Sequence, residues 1–197
     1  MLSLSDNSQR RVSGTPWNKG KITGQKPPLK PQKIWSIRVL LWLKGKIRDL
    51  ALFNLAIDSK LRACDMVKIR VSDVMHGASV MPRASVVQQK TGQPVRFEIT
   101  EQTRDVLNEW IATVDLKGDE YLFPSRVKPS SHITTRQYAR NVKSWVKLIG
   151  LDPTIYRTHF IRRTKASLIY MRTKNLRAVQ LLLGHTKLES TVRYLGV

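Results

Sequence analysis

The sequence predicts a mostly helical α+β domain with a small antiparallel β-sheet. From Ile34 onward, apolar residues recur at three- and four-residue steps, the period of helices with one buried face. Two β-rich runs surround a Gly/Pro turn between Ser85 and Ile99, which is typical of a hairpin. With 41% hydrophobic residues in 197, the chain has enough apolar side chains to build a core.

The first 33 residues are predicted to form a flexible basic arm ahead of a domain over residues 34–197. Glycines and prolines interrupt the arm, and no apolar period survives between them. Trp17 is its one large aromatic group. The arm is either a solvated linker or a segment that becomes ordered when a partner binds, and we expect a mixture of the two.

The first half of the domain is predicted to contain helices and the hairpin. Helical periodicity extends over residues 34–58, with a break near Gly45. A short helix is predicted over residues 62–70, and a strand around residues 71–80 would extend the hairpin into a small sheet. Lys90 is placed at the hairpin tip.

The second half is predicted to be almost entirely helical. Thr100 is typical of an N-cap for a helix that buries Trp110. Thr134 begins another helix, which ends near Ile149 before Gly150. Three further helices are predicted at about 158–172, 175–183 and 187–195.

Positive charge is concentrated at both ends of the chain. Lys and Arg number 35 against 14 Asp and Glu, a net charge of +21. Residues 1–48 hold 11 cations against one acid, and residues 153–197 hold nine against one. Such a surplus indicates a polyanion partner, either nucleic acid or an acidic membrane face.

Composition also excludes several classes of protein. Charged residues interrupt every apolar stretch, so no membrane span is predicted, and the N-terminus lacks the pattern of a secretory signal. The single cysteine, Cys64, excludes a disulfide framework and a Cys-rich zinc site. We therefore expect a soluble, cytoplasmic protein that binds a polyanion.

Two pairs of residues near the C-terminus have side chains suited to phosphate chemistry. His159 and Arg162 share one face of a helix, where a guanidinium and an imidazole can bind a phosphate, although such pairs are more often structural. His185 follows Gly184 in a turn, and Tyr194 comes nine residues later. Tyr194 fits amphipathic packing, or a nucleophile if neighbouring cations favour the phenolate.

Two further candidates lie in the first half. Arg62 and Asp65 are one helical turn apart, which fits either an ion pair or a phosphate-binding Arg positioned by a carboxylate. Lys90 at the hairpin tip is either a solubilising charge or a mobile proton donor at a phosphate site.

Taken together and in order, these residues resemble the tyrosine recombinase (phage integrase) family. The resemblance covers about residues 35–197, and the complete set is far more specific than any one part. The matching stretches are Leu-Arg-Ala-Cys-Asp-Met, Gln-Gln-Lys-Thr-Gly, Thr-His-Phe-Ile-Arg-Arg-Thr, Leu-Leu-Gly-His-Thr and Thr-Val-Arg-Tyr-Leu.

The resemblance implies the catalytic-domain fold of that family and a site-specific recombinase or integrase that transesterifies DNA without a metal or cofactor. Tyr194 would attack the scissile phosphorus and form a 3′-phosphotyrosine, leaving a free 5′-hydroxyl. Arg62 and Arg162 would bind the non-bridging oxygens of the transition state. Lys90 would protonate the departing 5′-oxygen.

The remaining matched residues would have assisting roles. His159 would accept the tyrosine proton, His185 would donate to a phosphate oxygen, and Asp65 would hold the cluster in place. The implied partners are double-stranded DNA, further copies of the chain in a dimer or tetramer on DNA, and possible accessory DNA-binding proteins, with no membrane.

The chain resembles a compact form of the family, without the helical core-binding domain that usually precedes the catalytic region. The arm is the hypothetical replacement for that domain. Only three residues follow Tyr194, so either the chain is a fragment or it lacks a C-terminal tail that exchanges between subunits. The candidate DNA-binding residues are Lys19, Lys21, Arg136, Arg140, Lys143 and Arg163.

The sequence leaves three classes of function to compare. A catalytic recombinase explains the complete set of residues. A catalytically weak or inactive DNA-binding regulator derived from a recombinase is the alternative. A general basic nucleic-acid-binding protein would require six ordered coincidences.

Overall fold

The computed structural model describes residues 28–127, 131–156 and 158–195, and within them the predicted α+β fold is confirmed. Two antiparallel hairpins accompany the helices in these ranges: β1 (Met75–His76) with β2 (Ser79–Val80), and β3 (Arg83–Val87) with β4 (Pro94–Glu98). The helices are α1 (Pro31–Leu43), α2 (Ile47–Ser59), α3 (Ala63–Met66), α4 (Val71–Val74), α5 (Glu101–Val114), α6 (Thr135–Leu148), α7 (Thr158–Thr173), α8 (Leu176–Leu183) and α9 (Leu188–Leu195).

Helix α2 forms the centre of the main core. Every residue from Leu50 to Ser59 is buried, because α1, α5, α7 and β4 pack around it. A helix that is apolar on nearly all sides is typical of such a central position. The predicted break between α1 and α2 is confirmed at Gly45, whose φ of +59° favours glycine.

The chain joins the folded body slightly before the predicted domain boundary. Leu29 is buried, and its backbone N–H donates to the Thr164 hydroxyl on α7 at 3.0 Å. Pro31 begins α1, three residues before the helical pattern becomes visible in the sequence. The predicted arm lies outside the described residues up to position 27. No helix in the described ranges has the length and apolarity needed to cross a bilayer.

The hairpin β3–β4 is confirmed and carries Lys90 in its turn. Its register pairs Arg83 with Glu98 at one end and Val87 with Pro94 at the other. Ala84 and its partner Phe97 are both buried. This inward face fixes the register, because a slip by one residue would turn these apolar side chains to solvent.

The prediction of a strand over residues 71–80 is wrong. Val71 and Val74 are buried on the short helix α4, and their three-residue spacing fits one helical turn. Within this range only β1 and β2 are strands, and they form a two-stranded sheet of their own. The helix predicted over residues 62–70 is also too long, because α3 ends at Met66 and Arg70 pairs with Tyr121 in an isolated β-bridge.

Helix α5 begins after Thr100 as predicted, but the predicted capping bond is absent. The Thr100 hydroxyl donates to Oδ2 of Asp58 at 2.8 Å instead of accepting a bond from the helix. The same oxygen accepts from the Thr100 backbone N–H at 3.0 Å and from the Thr103 hydroxyl at 2.7 Å. Asp58, at the end of α2, therefore stabilises the start of α5 from 42 residues away.

We expect Asp58→Ala to lower the free energy of unfolding by about 2–4 kcal/mol, because it leaves these donors without their acceptor beside a buried site. Lys165 would also lose the Asp58 carboxylate, whose Oδ1 lies 3.9 Å from its Nζ. Urea denaturation measures the loss. Glu98→Ala is the control, since the Glu98–Arg83 pair is largely exposed and we expect a change below about 1 kcal/mol. Equal losses in the two variants would contradict this role of Asp58.

The helices of the second half begin and end close to their predicted positions. Thr134 caps α6, because its hydroxyl oxygen accepts the Gln137 N–H at 3.1 Å. Trp110 and Trp145 are buried as predicted, and Trp145 contacts Phe53 edge to face. Helices α7, α8 and α9 enclose a second, smaller core around Ala166, Val179 and Leu183, against which Tyr194 packs.

Candidate active site

Arg62 and Asp65 lie at the start of α3 and bind the β3–β4 hairpin rather than each other. The Arg62 guanidinium donates to Oε1 of Gln88, which is buried. Oδ1 of Asp65 accepts the Gln89 backbone N–H at 3.0 Å. The ion-pair interpretation of Arg62 and Asp65 is therefore wrong, and both residues attach α3 to the base of the turn that carries Lys90.

Lys90 itself is exposed in that turn. In the described ranges, no hydrogen bond or ion pair joins its ammonium to the other candidate site residues. The structure thus places Lys90 two residues from Gln88, on a turn attached to α3, with its side chain in solvent.

Arg162 is the buried cation of the site. Its side chain is 5% exposed on α7, and one end of its guanidinium donates to the Leu183 carbonyl at the end of α8. Its other terminal nitrogen, Nη1, is buried and has no hydrogen-bond partner among the described residues. Burial and the nearby Arg62 lower the pKa of Arg162, but a guanidinium remains charged at any physiological pH.

His185 follows the αL glycine that ends α8. Gly184 has a φ of +65°, and the His185 N–H bonds back to the Gln180 carbonyl at 3.1 Å, as in a Schellman motif. The buried Gln180 amide donates to the His185 carbonyl at 3.0 Å, which fixes the turn. Nδ1 of His185 lies 3.1 Å from the hydroxyl of Thr191 on α9.

Tyr194 lies on the next helix against His185. The two rings meet edge to face with centroids 5.4 Å apart, and the Arg163 guanidinium lies 5.3 Å from the Tyr194 centroid. The phenol donates to the backbone carbonyl of His159 at 3.4 Å. Burial raises the pKa of Tyr194, and Arg162, Arg163 and Arg62 oppose that rise.

The pKa of His185 also indicates that Arg62 and Arg162 lie near this ring. Burial lowers the pKa of His185, and the positive charges of Arg162 and Arg62 lower it further. Both effects favour the neutral imidazole. If the Thr191 hydroxyl donates to Nδ1, the ring carries its proton on Nε2 and can donate from that nitrogen.

We expect the His185 ring to titrate below about 6.5, the value of a free histidine. The lowered pKa means that the unfolded chain takes up this proton first, so His185 should reduce stability as the pH falls below about 6.5. NMR titration of the ring measures the midpoint, which Arg62→Gln should raise by removing one cation. Arg136→Gln, on an exposed part of α6, is the control. A midpoint at or above 6.5 in the unaltered protein would contradict the placement of Arg62 and Arg162 near His185.

The part of the chain that contains this site matches a known protein family. The model of the Phage integrase family matches residues 39–197, a range that includes Arg62, Arg162, His185 and Tyr194. The chain belongs to the phage integrase family. The resemblance seen in the sequence is confirmed.

Relatives of this integrase-family chain agree with that assignment. The probable integrase/recombinase YoeC of Bacillus subtilis is 31% identical over 166 residues, which cover 84% of this chain and 86% of YoeC. The tyrosine recombinase XerC of Erythrobacter litoralis is 30% identical over 153 residues, 77% of this chain and 47% of XerC. The chain therefore spans most of YoeC but about half the length of XerC.

Solved structures confirm the recombinase catalytic-domain fold. The XerA recombinase superposes with a TM-score of 0.73 at 18% identity, over 88% of this chain and 62% of XerA. The XerH recombinase bound to its difH substrate gives 0.71 at 18% identity, over 87% of this chain and 51% of XerH.

The cluster consists of Arg62, Arg162, His185 and Tyr194, whereas the predicted catalytic residues Lys90 and His159 are both exposed. The His159 backbone carbonyl accepts the hydrogen bond of the Tyr194 phenol. In the described part of the chain, no group of His, Cys, Asp or Glu could hold a metal ion.

The candidate DNA-binding residues occupy different surroundings. Arg136, Arg140 and Lys143 are exposed on the polar face of α6, where binding to DNA stays a prediction. Arg163 lies over the Tyr194 ring, a contact that the sequence did not indicate. Lys19 and Lys21 lie outside the described residues.

Sequence reasoning missed three polar residues that hold the site together: Gln88, Gln180 and Thr191. Gln88 had a detectable signal, because it continues the inward alternation of Ala84 and Val86 along the strand. The partners of the other two depend on how α8 and α9 pack, which no local pattern reveals.

Proposed function

We propose that this protein is a site-specific DNA recombinase that cleaves and rejoins strands through a 3′-phosphotyrosine. The observation that carries the proposal is the convergence of Tyr194 and His185 with two guanidinium groups. The positive charges of Arg62 and Arg162 favour lower pKa values for both Tyr194 and His185. The four residues come from different parts of the fold.

The nucleophile is the Tyr194 phenol. Its raised pKa keeps it protonated at neutral pH, so attack requires removal of the proton now donated to the His159 carbonyl. As the phenolic oxygen bonds to phosphorus, the bond from phosphorus to the 5′-oxygen breaks. The His159 imidazole is the proposed acceptor of the proton.

Arg62 and Arg162 are the proposed binding groups for the non-bridging phosphate oxygens. Negative charge builds on these oxygens in the transition state, and fixed donors stabilise it most where water is excluded. Arg162 is suited to this role because no residue in the described part of the chain bonds to its buried Nη1, while its other end is fixed to Leu183. A phosphate oxygen would supply the missing acceptor.

His185 and Lys90 complete the proposed proton transfers. A neutral His185 held by Thr191 through Nδ1 donates from Nε2 to a phosphate oxygen. Lys90 moves in from solvent to protonate the departing 5′-oxygen. The 5′-hydroxyl of a partner strand then loses its proton and attacks the phosphotyrosine, the bond from phosphorus to the Tyr194 oxygen breaks, and the phenol takes up a proton. One phosphoester bond replaces another, so no nucleotide cofactor is required.

The partner of this reaction is double-stranded DNA in the cytoplasm. The net charge of +21 supports a polyanion substrate. The XerH structure contains a difH substrate, and a solved lambda integrase is a dimer bound to a core site. We propose that further copies of this chain assemble on DNA in the same way, as a dimer or tetramer.

The test begins with DNA that is covalently attached to the purified protein. Sequencing the ends of this DNA identifies a target, on which a duplex with a nick beside the cleavage site is built. The short cleaved fragment diffuses away and the protein–DNA adduct accumulates. We expect an adduct joined through a 3′-phosphate and undiminished by magnesium chelation. Specific binding without an adduct would contradict the proposal and favour the inactive regulator.

A further inference from the structure

Gln88 lies between the candidate phosphate-binding site and the turn that carries Lys90. Its side chain is 1% exposed, and it directly follows the last residue of β3. Its Oε1 accepts two bonds, from the Arg62 guanidinium and from the Thr91 hydroxyl at 3.1 Å. One buried oxygen thus connects a candidate catalytic cation with the residue after Lys90.

The backbone of Gln88 closes the same turn. Its N–H donates to the Gln93 carbonyl at 2.9 Å, and its carbonyl accepts the Gly92 N–H at 2.8 Å. A methyl group placed on Gly184 would lie 3.9 Å from the Gln88 Oε1. Gln88 is therefore located where α3, the hairpin turn and the turn before His185 meet.

The chemistry of an amide suits this position. A carboxamide oxygen orients the Arg62 guanidinium but, unlike a carboxylate, does not neutralise its charge. The full positive charge of Arg62 stays available for a phosphate. The Asp65 carboxylate instead binds the Gln89 backbone.

The side chains on both sides of Lys90 are fixed. Gln89 donates to the Cys64 carbonyl at 3.0 Å, and Thr91 donates to Gln88. Among the residues that the structure describes, no hydrogen bond or ion pair holds the Lys90 ammonium, which is exposed. The base of the turn is thus held against α3, while the lysine side chain can move toward a substrate.

We propose that Gln88 is a positioning residue that couples Arg62 to the Lys90 turn, so that the proton donor is aligned when Arg62 holds a phosphate. This inference rests on the proposed function, because it assumes that Lys90 protonates the departing 5′-oxygen. Gln88 lies in the matching stretch Gln-Gln-Lys-Thr-Gly, but the resemblance assigned a role there only to Lys90.

The test compares two nicked substrates in the adduct assay. One has the natural 5′-oxygen at the scissile bond and the other a 5′-bridging sulfur. Breaking the P–O bond releases an alkoxide that needs a proton, whereas breaking the P–S bond releases a thiolate that is stable without one. A loss that acts through the proton donor should therefore disappear with sulfur.

We expect Gln88→Ala to slow adduct formation on the oxygen substrate about 10- to 100-fold. The expected loss is smaller than the full rate contribution of a general acid, because Lys90 itself remains. On the sulfur substrate, the factor by which Gln88→Ala slows adduct formation should be at least about tenfold smaller. Thr91→Val keeps the Gln88–Arg62 bond, and it should slow adduct formation on the oxygen substrate only. Gln93→Ala, in the same turn with an exposed side chain, is the control and should match the unaltered protein.

Equal losses on the two substrates, or no loss in Gln88→Ala and Thr91→Val, would overturn the inference. Matched thermal unfolding midpoints show that each variant is folded. If the unaltered protein forms no adduct on either substrate, the proposed function fails as well. If it forms one that requires Tyr194, the function stands and only the role of Gln88 is rejected.

Discussion

Tyr194→Phe should bind target DNA with unchanged affinity and form no covalent adduct. The variant lacks the one oxygen that can bond to phosphorus, so the rate of cleavage should fall by at least about 10⁴-fold. The measurement is denaturing electrophoresis of protein incubated with the nicked duplex, beside a binding assay on the same DNA.

The fold should tolerate this change. The phenol makes a single 3.4 Å bond to the His159 carbonyl, so its loss should cost no more than about 1 kcal/mol. The ring contacts with His185 and Arg163 remain.

Tyr170→Phe is the matched control for this experiment. Tyr170 packs against the same small core as Tyr194, and its ring faces Lys174 rather than the guanidinium groups. We expect the control to form the adduct at the rate of the unaltered protein. An adduct in Tyr194→Phe would identify another nucleophile, and loss of the adduct in Tyr170→Phe would show that packing alone explains the effect.

The elements whose signals are local could be predicted from the sequence. The cap at Thr134 and the αL glycine at Gly184 act on neighbouring backbone groups, so residue type and position are sufficient to predict them. The hairpin was equally clear, because its turn residues separate two short β-rich runs.

Features that depend on distant partners could not be predicted in this way. The Thr100 hydroxyl has a choice between its own helix and Asp58, and only the packing of α2 against α5 decides it. Residues 71–80 contain β-branched residues that suit a strand, yet burial of Val71 and Val74 favours a helical turn. Tertiary packing overrides local propensity in both cases.

In the candidate site too, the residues could be predicted from the sequence but their contacts could not. Its residues were found through their order along the chain, which the family resemblance made meaningful. Their contacts were not predictable, because the bond from Arg162 to the Leu183 carbonyl spans 21 residues and requires α7 and α8 to pack together. The position of Arg163 over Tyr194 depends in the same way on where α9 packs.

Arg162→Lys should slow adduct formation about 10²- to 10³-fold, although it keeps the positive charge. A guanidinium can donate to Leu183 with one nitrogen and to a phosphate with another, whereas an ammonium is a compact point charge without that fork. Arg162→Ala should lose at least as much. The rate of adduct formation measures both, and Arg172→Lys, exposed on the same helix, is the control.

The two variants should differ in their effect on His185. Arg162→Ala removes a cation that lowers the pKa of His185, so the NMR midpoint of the ring should rise. Arg162→Lys keeps the charge and should leave the midpoint nearly unchanged while adduct formation is slowed. That combination would show that the fork of Arg162, and not its charge alone, serves the reaction. Full activity in Arg162→Lys would instead reduce Arg162 to a source of positive potential.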